Sequence, residues 1–149
     1  MEFAIIVTLL FALVFGIIGF GRAVWMQQAL TAASREASRY GVAAGTASGA
    51  PQYLDCSGIR REARQRAPDV RLSDADIAIT YKQYAASPSP AAAPTAAPTC
   101  TGTTVGLKDG DRIVVKIEKK LDVDLPLVPL GDVTLGAQDE RTIYNGIAP

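Results

Sequence analysis

FAIIVTLLFALVFGIIGF, residues 3–20, is a run of 18 residues without a charge, bounded by Glu2 and Arg22. At about 1.5 Å rise per residue such a run makes about 27 Å of helix, enough to cross a hydrocarbon layer of about 30 Å. A cleaved signal peptide fits poorly. Nothing basic precedes the run, and Gly21-Arg22-Ala23-Val24-Trp25 is bulky and charged where a small-x-small cleavage site would lie. Gly16, Gly19 and Gly21 would let helices approach closely in an apolar phase, or they are ordinary membrane-span composition. Glu2 is expensive at the mouth of such a helix unless it has a partner, although the first turn favours an anion. It is either an intersubunit contact to a free terminal amine in a bundle or a charge at headgroup level.

Beyond Arg22 the apolar residues continue at three- and four-residue steps: Ala23, Met26, Ala29 or Leu30, Ala33, Ala37 and Tyr40. Arg22, Gln28, Arg35 and Arg39 fall largely off that stripe, so the spacing predicts one helix from residue 2 to residue 44. Its first part, residues 1–21, is apolar all round and must face lipid or other helices. Residues 22–44 are apolar on one side and need a soluble layer to pack against.

These same residues carry a likeness. Glu2-Phe3-Ala4, the apolar run into Gly16-Ile17-Ile18-Gly19-Phe20-Gly21-Arg22-Ala23, then Gln27-Gln28-Ala29-Leu30-Thr31 and Ala32-Ala33-Ser34-Arg35-Glu36-Ala37-Ser38-Arg39-Tyr40, resemble the TadE-like pilins of tight-adherence pili, relatives of type IV pilins. The resemblance covers residues 2–42. It implies that Glu2 inherits the role of the glutamate just after the prepilin-peptidase site. It also implies a subunit that waits in the inner membrane, is extracted by an assembly machine and polymerises through its N-terminal helix, Glu2 and Phe3 included. One departure is that the family glutamate has a few small residues before it, whereas Met1 alone precedes Glu2. Either Met1 is an unusual mature terminus or residues upstream are absent from this numbering; the missing basic leader favours truncation or processing.

The remaining residues, 45–149, are expected to form an exported head. Gly45-Thr46-Ala47-Ser48-Gly49-Ala50-Pro51 reads as a turn-rich hinge. Ser57 is a plausible cap for a short helix from Ile59 to Ala67, ended by Pro68. Its Arg60, Arg61, Arg64 and Arg66 are either a patch for an acidic partner or the wet face of an amphipathic helix; without interleaved aromatics, no specific nucleic acid is expected. Ile77, Ile79 and Tyr81 alternate with polar or small residues, as do Ile113, Val115 and Ile117, so each segment predicts a strand with one buried face. A third candidate strand is Val133 to Leu135, resuming near Thr142 to Tyr144. The expected fold class is α+β: a long N-terminal transmembrane and stalk helix, a small antiparallel sheet and one extra short helix.

Between the first two strands, residues 85–104 are rich in Pro, Ala, Ser and Thr, a composition that cannot bury a core. Ser87, Ser89, Thr95 and Thr99 are candidate O-glycosylation acceptors. Cys56 and Cys100 read as a disulfide on the exported side, the alternative being two buried thiols. Asp109-Gly110-Asp111 and Asp74-Ala75-Asp76 invite a calcium reading but lack the six to eight oxygens the ion takes; Asp-Gly is first a turn signal.

With 15 basic and 15 acidic residues, the formal charge is zero, and histidine is absent. We find no nucleophile elbow, phosphate loop or metal-ligand cluster in the sequence, and expect no enzyme and no cofactor. The expected function is a pilin subunit that moves from the inner membrane to an extracellular filament for surface attachment. Its expected partners are copies of itself or other pilins, the prepilin peptidase and the assembly machinery. The alternative is a monomeric membrane-anchored periplasmic binding or pilus-assembly module.

Overall fold

The structure is a computed structural model that describes residues 2–43, 45–47, 49–82, 99–100, 107, 110–125 and 128–144, with the backbone alone at residues 2, 4, 47, 50, 121–125 and 128–132. Helix α1 runs from Glu2 to Val42, 41 residues and about 60 Å long. It has two halves with opposite surroundings. On the second half the stripe read from the sequence is the buried one: Met26, Leu30, Ala33 and Ala37 are buried, with Ala23, Ala29 and Tyr40 partly so. Ser34 and Ser38 fill the same face, and the Ser34 hydroxyl is satisfied on the helix's own Thr31 carbonyl at 3.0 Å. The helix stops two residues short of the expected end. Gly41 lies where a Cβ would come within 2.8 Å of Ile113 Cδ1 and 3.3 Å of Ile59 Cδ1, so the bare backbone lets two neighbouring elements close on the helix end.

The expected hinge closes into a small antiparallel ladder, β1 (Thr46–Ala47) with β2 (Ala50–Pro51). Gly49 turns it at φ +83°, a backbone region that favours glycine. Helix α2 then spans Cys56–Arg66. Its cap is Asp55 and not Ser57: Asp55 Oδ1 accepts from the Gly58 N–H at 2.9 Å, while the Ser57 hydroxyl donates to the same carboxylate at 2.7 Å. A carboxylate at this position satisfies an orphan amide and also meets the positive end of the helix dipole. Pro68 opens a short 3-10 turn, Pro68–Val70.

The sheet has the order β3 (Ile77–Lys82), β4 (Arg112–Leu125), β5 (Val128–Thr142), antiparallel throughout. Ile77, Ile79 and Tyr81 on β3 and Ile113, Val115 and Ile117 on β4 are buried, as the alternation predicts. They meet α1 and the Ile59–Ala63 face of α2 in one core. The sheet on one side and two helices on the other make an α+β layer fold. The third strand was too short in the sequence reading. β5 is continuous over 15 residues, and β4 runs on with it well past Ile117, since each supplies the other's backbone partners.

A disulfide joins Cys56 to Cys100 with Cα atoms 5.8 Å apart. Cys100 N–H donates to the Ile79 carbonyl at 3.0 Å and Thr99 bridges Thr80, so the bond holds chain against the outer edge of β3. Tyr81, buried beside it, donates its hydroxyl to the Tyr53 carbonyl, and burial pushes its pKa up to about 12. Asp74 and Asp76 lie in a 3-10 turn capped through Ser73. Their carboxylates meet Arg64 and Lys119, each at 2.8 Å. Gly110, at φ +94°, makes the turn into β4; Lys108 and Asp109 lie outside the described residues.

Candidate functional site

The feature that most needs a partner is the first half of α1. From Phe3 to Phe20, twelve large apolar side chains are at least 40% exposed, from Phe3 at 79% to Val14 at 40%. Removing that many from water is worth on the order of 20 kcal/mol, at about 1.5 to 3 kcal/mol for each side chain. Soluble monomers do not leave such a surface bare. The helix is long and apolar enough to cross a membrane, and none of its most apolar 18-residue window is buried against the head.

Small residues shape this surface. A Cβ added at Gly16 or Gly21 would meet nothing within 4 Å. At about 100° per residue, Gly16 and Gly19 fall on one side of the helix with Ala12 and Ala23, while Gly21 points elsewhere. Ile5, Thr8, Leu9 and Ala12 line a shallow apolar groove nearer the N-terminus. Phe3 is exposed; the side chain of Glu2 lies outside the described residues, and the backbone places it in the first turn of α1.

Above the apolar half, polar contacts fix how the helix meets the sheet. The Gln27 amide donates to the Gly136 carbonyl at 2.8 Å. The Ser38 hydroxyl donates to Asp139, and Arg141 Nε reaches Ser38 Oγ at 3.2 Å and Asp139 Oδ2 at 3.0 Å. Tyr40 donates to Asp55 Oδ2 at 2.9 Å, tying α1 to the cap of α2. Trp25 is 49% exposed one turn beyond Phe20, where an indole suits a membrane boundary. The sequence reading gave no boundary or packing role to Trp25, Gln27, Ser38, Asp139 or Arg141. Only the indole's distance from the end of the run could have signalled its place.

Among the described residues of the head, three carboxylates lie below their ordinary pKa. Bonds from the Ser57 hydroxyl and the Gly58 amide hold Asp55 down. Burial alone would raise Asp76, but Lys119 and Ser73 outweigh it. Glu140 is held down first by Lys82, at 2.6 Å, and then by Arg112, at 3.1 Å. A depressed carboxylate contributes stability that is present above its unfolded pKa, about 4, and is lost as pH falls through the folded value. The urea midpoint of the head is therefore expected to hold from pH 7 to about 5 and to drop below about 4. A midpoint unchanged down to pH 3 would contradict these assignments.

Arg61, Arg64 and Arg66 are exposed on the wet side of α2 and Arg60 is half-buried, with Cys56, Gly58, Ile59 and Ala63 turned inward. Arg61 approaches Glu62 at 3.9 Å and Arg64 pairs with Asp74. Thr99 is exposed at the edge of β3; Ser87, Ser89 and Thr95 lie outside the described residues.

A helix long and apolar enough to span a bilayer, continuous with a disulfide-bonded α+β head, fits membrane anchoring of the chain. Residues 1–39 match the family model described as TadE-like protein, on the residues that carry the likeness in sequence. The match points to a pilus-associated protein and ends before the head. No curated protein and no solved structure matches the chain.

Proposed function

We propose that the chain is a pilin subunit that is held in the inner membrane by residues 3–20 and polymerises through that helix into an extracellular filament for surface attachment. The observation that carries this reading is the bare apolar half of α1, on the same residues that match the TadE-like model. Lipid tails are as apolar as leucine, so transfer from bilayer to bundle gains little from hydrophobicity itself. Association must come from close packing, for which Gly16, Gly19 and Gly21 leave room, and from polar contacts satisfied between helices. Glu2 supplies such a contact, to a terminal amine of a neighbouring subunit. The prepilin peptidase and the assembly machinery are the partners before polymerisation. The role is structural, not catalytic.

Glu2→Ala is the test. Filament yield in material sheared from the cell surface is expected to fall about tenfold or more, the equivalent of about 1.4 kcal/mol, while the chain still partitions into the inner membrane. Wild-type yield would remove the assembly role of the charge. Wild-type chain found only in the inner-membrane fraction, with none in filaments under the electron microscope, would favour the monomeric anchored module instead.

A further inference from the structure

Two landmarks on α1 bracket a short collar. Phe20, 72% exposed, is the last residue of the apolar run, and Met26, 8% exposed, is the first described side chain of the helix that the head buries. Directly above it the Gln27 amide fastens the helix to the Gly136 carbonyl. Between the landmarks lie Gly21-Arg22-Ala23-Val24-Trp25, five residues. Ala23 is half-buried against the core of the head, while Gly21, Arg22, Val24 and Trp25 are exposed.

Lengths decide what surrounds the collar. Five helical residues rise about 7.5 Å, and the polar layer on each side of the hydrocarbon is about 5 to 7 Å deep. With residues 3–20 in the hydrocarbon, the collar crosses the headgroups and the base of the head comes to rest at their outer surface. Side-chain direction sharpens the placement. Helical side chains lean toward the N-terminus, so the Trp25 indole reaches back toward the level of Arg22, its neighbour one turn below on the same flank. Arg22 is exposed, and among the described residues no carboxylate pairs with it. A guanidinium is costly in hydrocarbon, and this one stands only about 3 Å of helix beyond Phe20. Its stem lets the charge turn outward, to a layer of phosphodiesters whose paired oxygens match its fork of N–H donors.

We propose that Arg22 and Trp25 form a lipid-headgroup site in the leaflet on the exported side, where the guanidinium holds a phospholipid phosphate and the indole lies beside it at the polar boundary. The occupant is a lipid phosphate and not the free ion, because the span below and the head above hold Arg22 at the depth where lipid phosphates are concentrated. The indole suits the same depth, with an apolar body toward the acyl chains and an N–H to donate to headgroup oxygens. Such anchors set the tilt and rotation of a span, so the site fixes the height of the precursor in the membrane and must be vacated when the chain is extracted. It rests on the reading of residues 3–20 as a membrane span.

The test uses the full chain in phosphatidylcholine and phosphatidylglycerol vesicles whose acyl chains carry bromine, a contact quencher of indole, either near the headgroups or deep. Trp25 is the one native tryptophan and serves as the probe. Two reference chains carry Trp25→Phe with Phe11→Trp, in the middle of the span, or with Tyr144→Trp, exposed at the far end of the head. Shallow bromine is expected to quench Trp25 about twofold more than deep bromine, as for an interfacial residue. Deep bromine is expected to quench Phe11→Trp, and neither position to quench Tyr144→Trp. In Arg22→Gln the ratio of shallow to deep quenching of Trp25 is expected to fall about twofold as the span loses its anchor, and to stay at the wild-type value in brominated vesicles of a phosphate-free glycolipid. Trp25 as silent as Tyr144→Trp beside a quenched Phe11→Trp would overturn the headgroup site and leave the span standing. An unchanged ratio in Arg22→Gln, or an equal fall in the glycolipid, would overturn the phosphate contact. If Phe11→Trp is not quenched, the span reading fails and the headgroup site fails with it.

Discussion

Leu10→Arg is expected to lower recovery of the chain in filaments about a hundredfold, since a guanidinium at the middle of a span costs about 3 kcal/mol in the bilayer. Leu10 is 56% exposed on the bare half of α1, near the centre of residues 3–20. In lipid the long side chain can partly escape by reaching toward headgroups. In a bundle of packed helices that route is closed, and the charge is left without a counterion. Filament yield should therefore fall further than membrane retention. Gln28→Arg is the control, because Gln28 is exposed on the half of α1 that lies beyond the span; it should leave both quantities unchanged. Quantitative blots of the inner-membrane and sheared fractions read the two effects separately. Equal filament yields for Leu10→Arg and wild type would mean that residues 3–20 are not the polymerising surface.

Cys56→Ser with Cys100→Ser is expected to destabilise the head by about 3 to 4 kcal/mol, from the loop entropy returned to the unfolded chain. The bridge spans 44 positions of sequence, including the Pro-, Ala-, Ser- and Thr-rich residues, which have no core of their own to hold them. A head of about 100 residues has a stability of roughly 5 to 15 kcal/mol, so the loss is a large part of the whole. The two cysteines also hold Thr99 and Cys100 against β3, and their removal frees the Thr80 and Ile79 backbone groups on that edge. Urea unfolding of the double variant against wild type reads the difference. An unchanged midpoint would show that the bond contributes nothing to the native state.

The parts of the fold legible in sequence are those where one-dimensional periodicity maps onto one buried face. Met26, Leu30, Ala33 and Ala37 return to the same side of a helix every three or four residues, and all are buried. Ile77, Ile79 and Tyr81 do the same at period two. The parts that were missed depend on partners far away in sequence. Lys119, Lys120, Asp122, Pro129 and Gly131 look like strand breakers, yet the backbone runs as strand because β4 and β5 supply each other's ladder. Asp139 and Arg141 resemble solvent-exposed strand residues, and only their meeting with Ser38 across about a hundred positions makes them part of the seam with α1. The cap of α2 failed for a local reason. Asp55 and Ser57 are both good capping residues two positions apart, and the sequence alone does not say which carboxylate or hydroxyl the Gly58 amide will choose.

For the candidate surface the same division holds. The apolar run was legible because nothing in the rest of the chain is needed to recognise it, and its side chains are exposed because no described residue of the head covers them. The seam that fixes the head against α1 was not legible, since it depends on the register of β5 and on the Gln27 contact with Gly136.

The most direct measurement is a near-atomic reconstruction of filaments sheared from the cell surface. The proposed function predicts α1 of this chain at the filament axis, with residues 3–20 of neighbouring subunits packed against one another and the disulfide-bonded heads outside. Filaments that lack the chain, or a structure in which those residues remain surrounded by lipid, would contradict it.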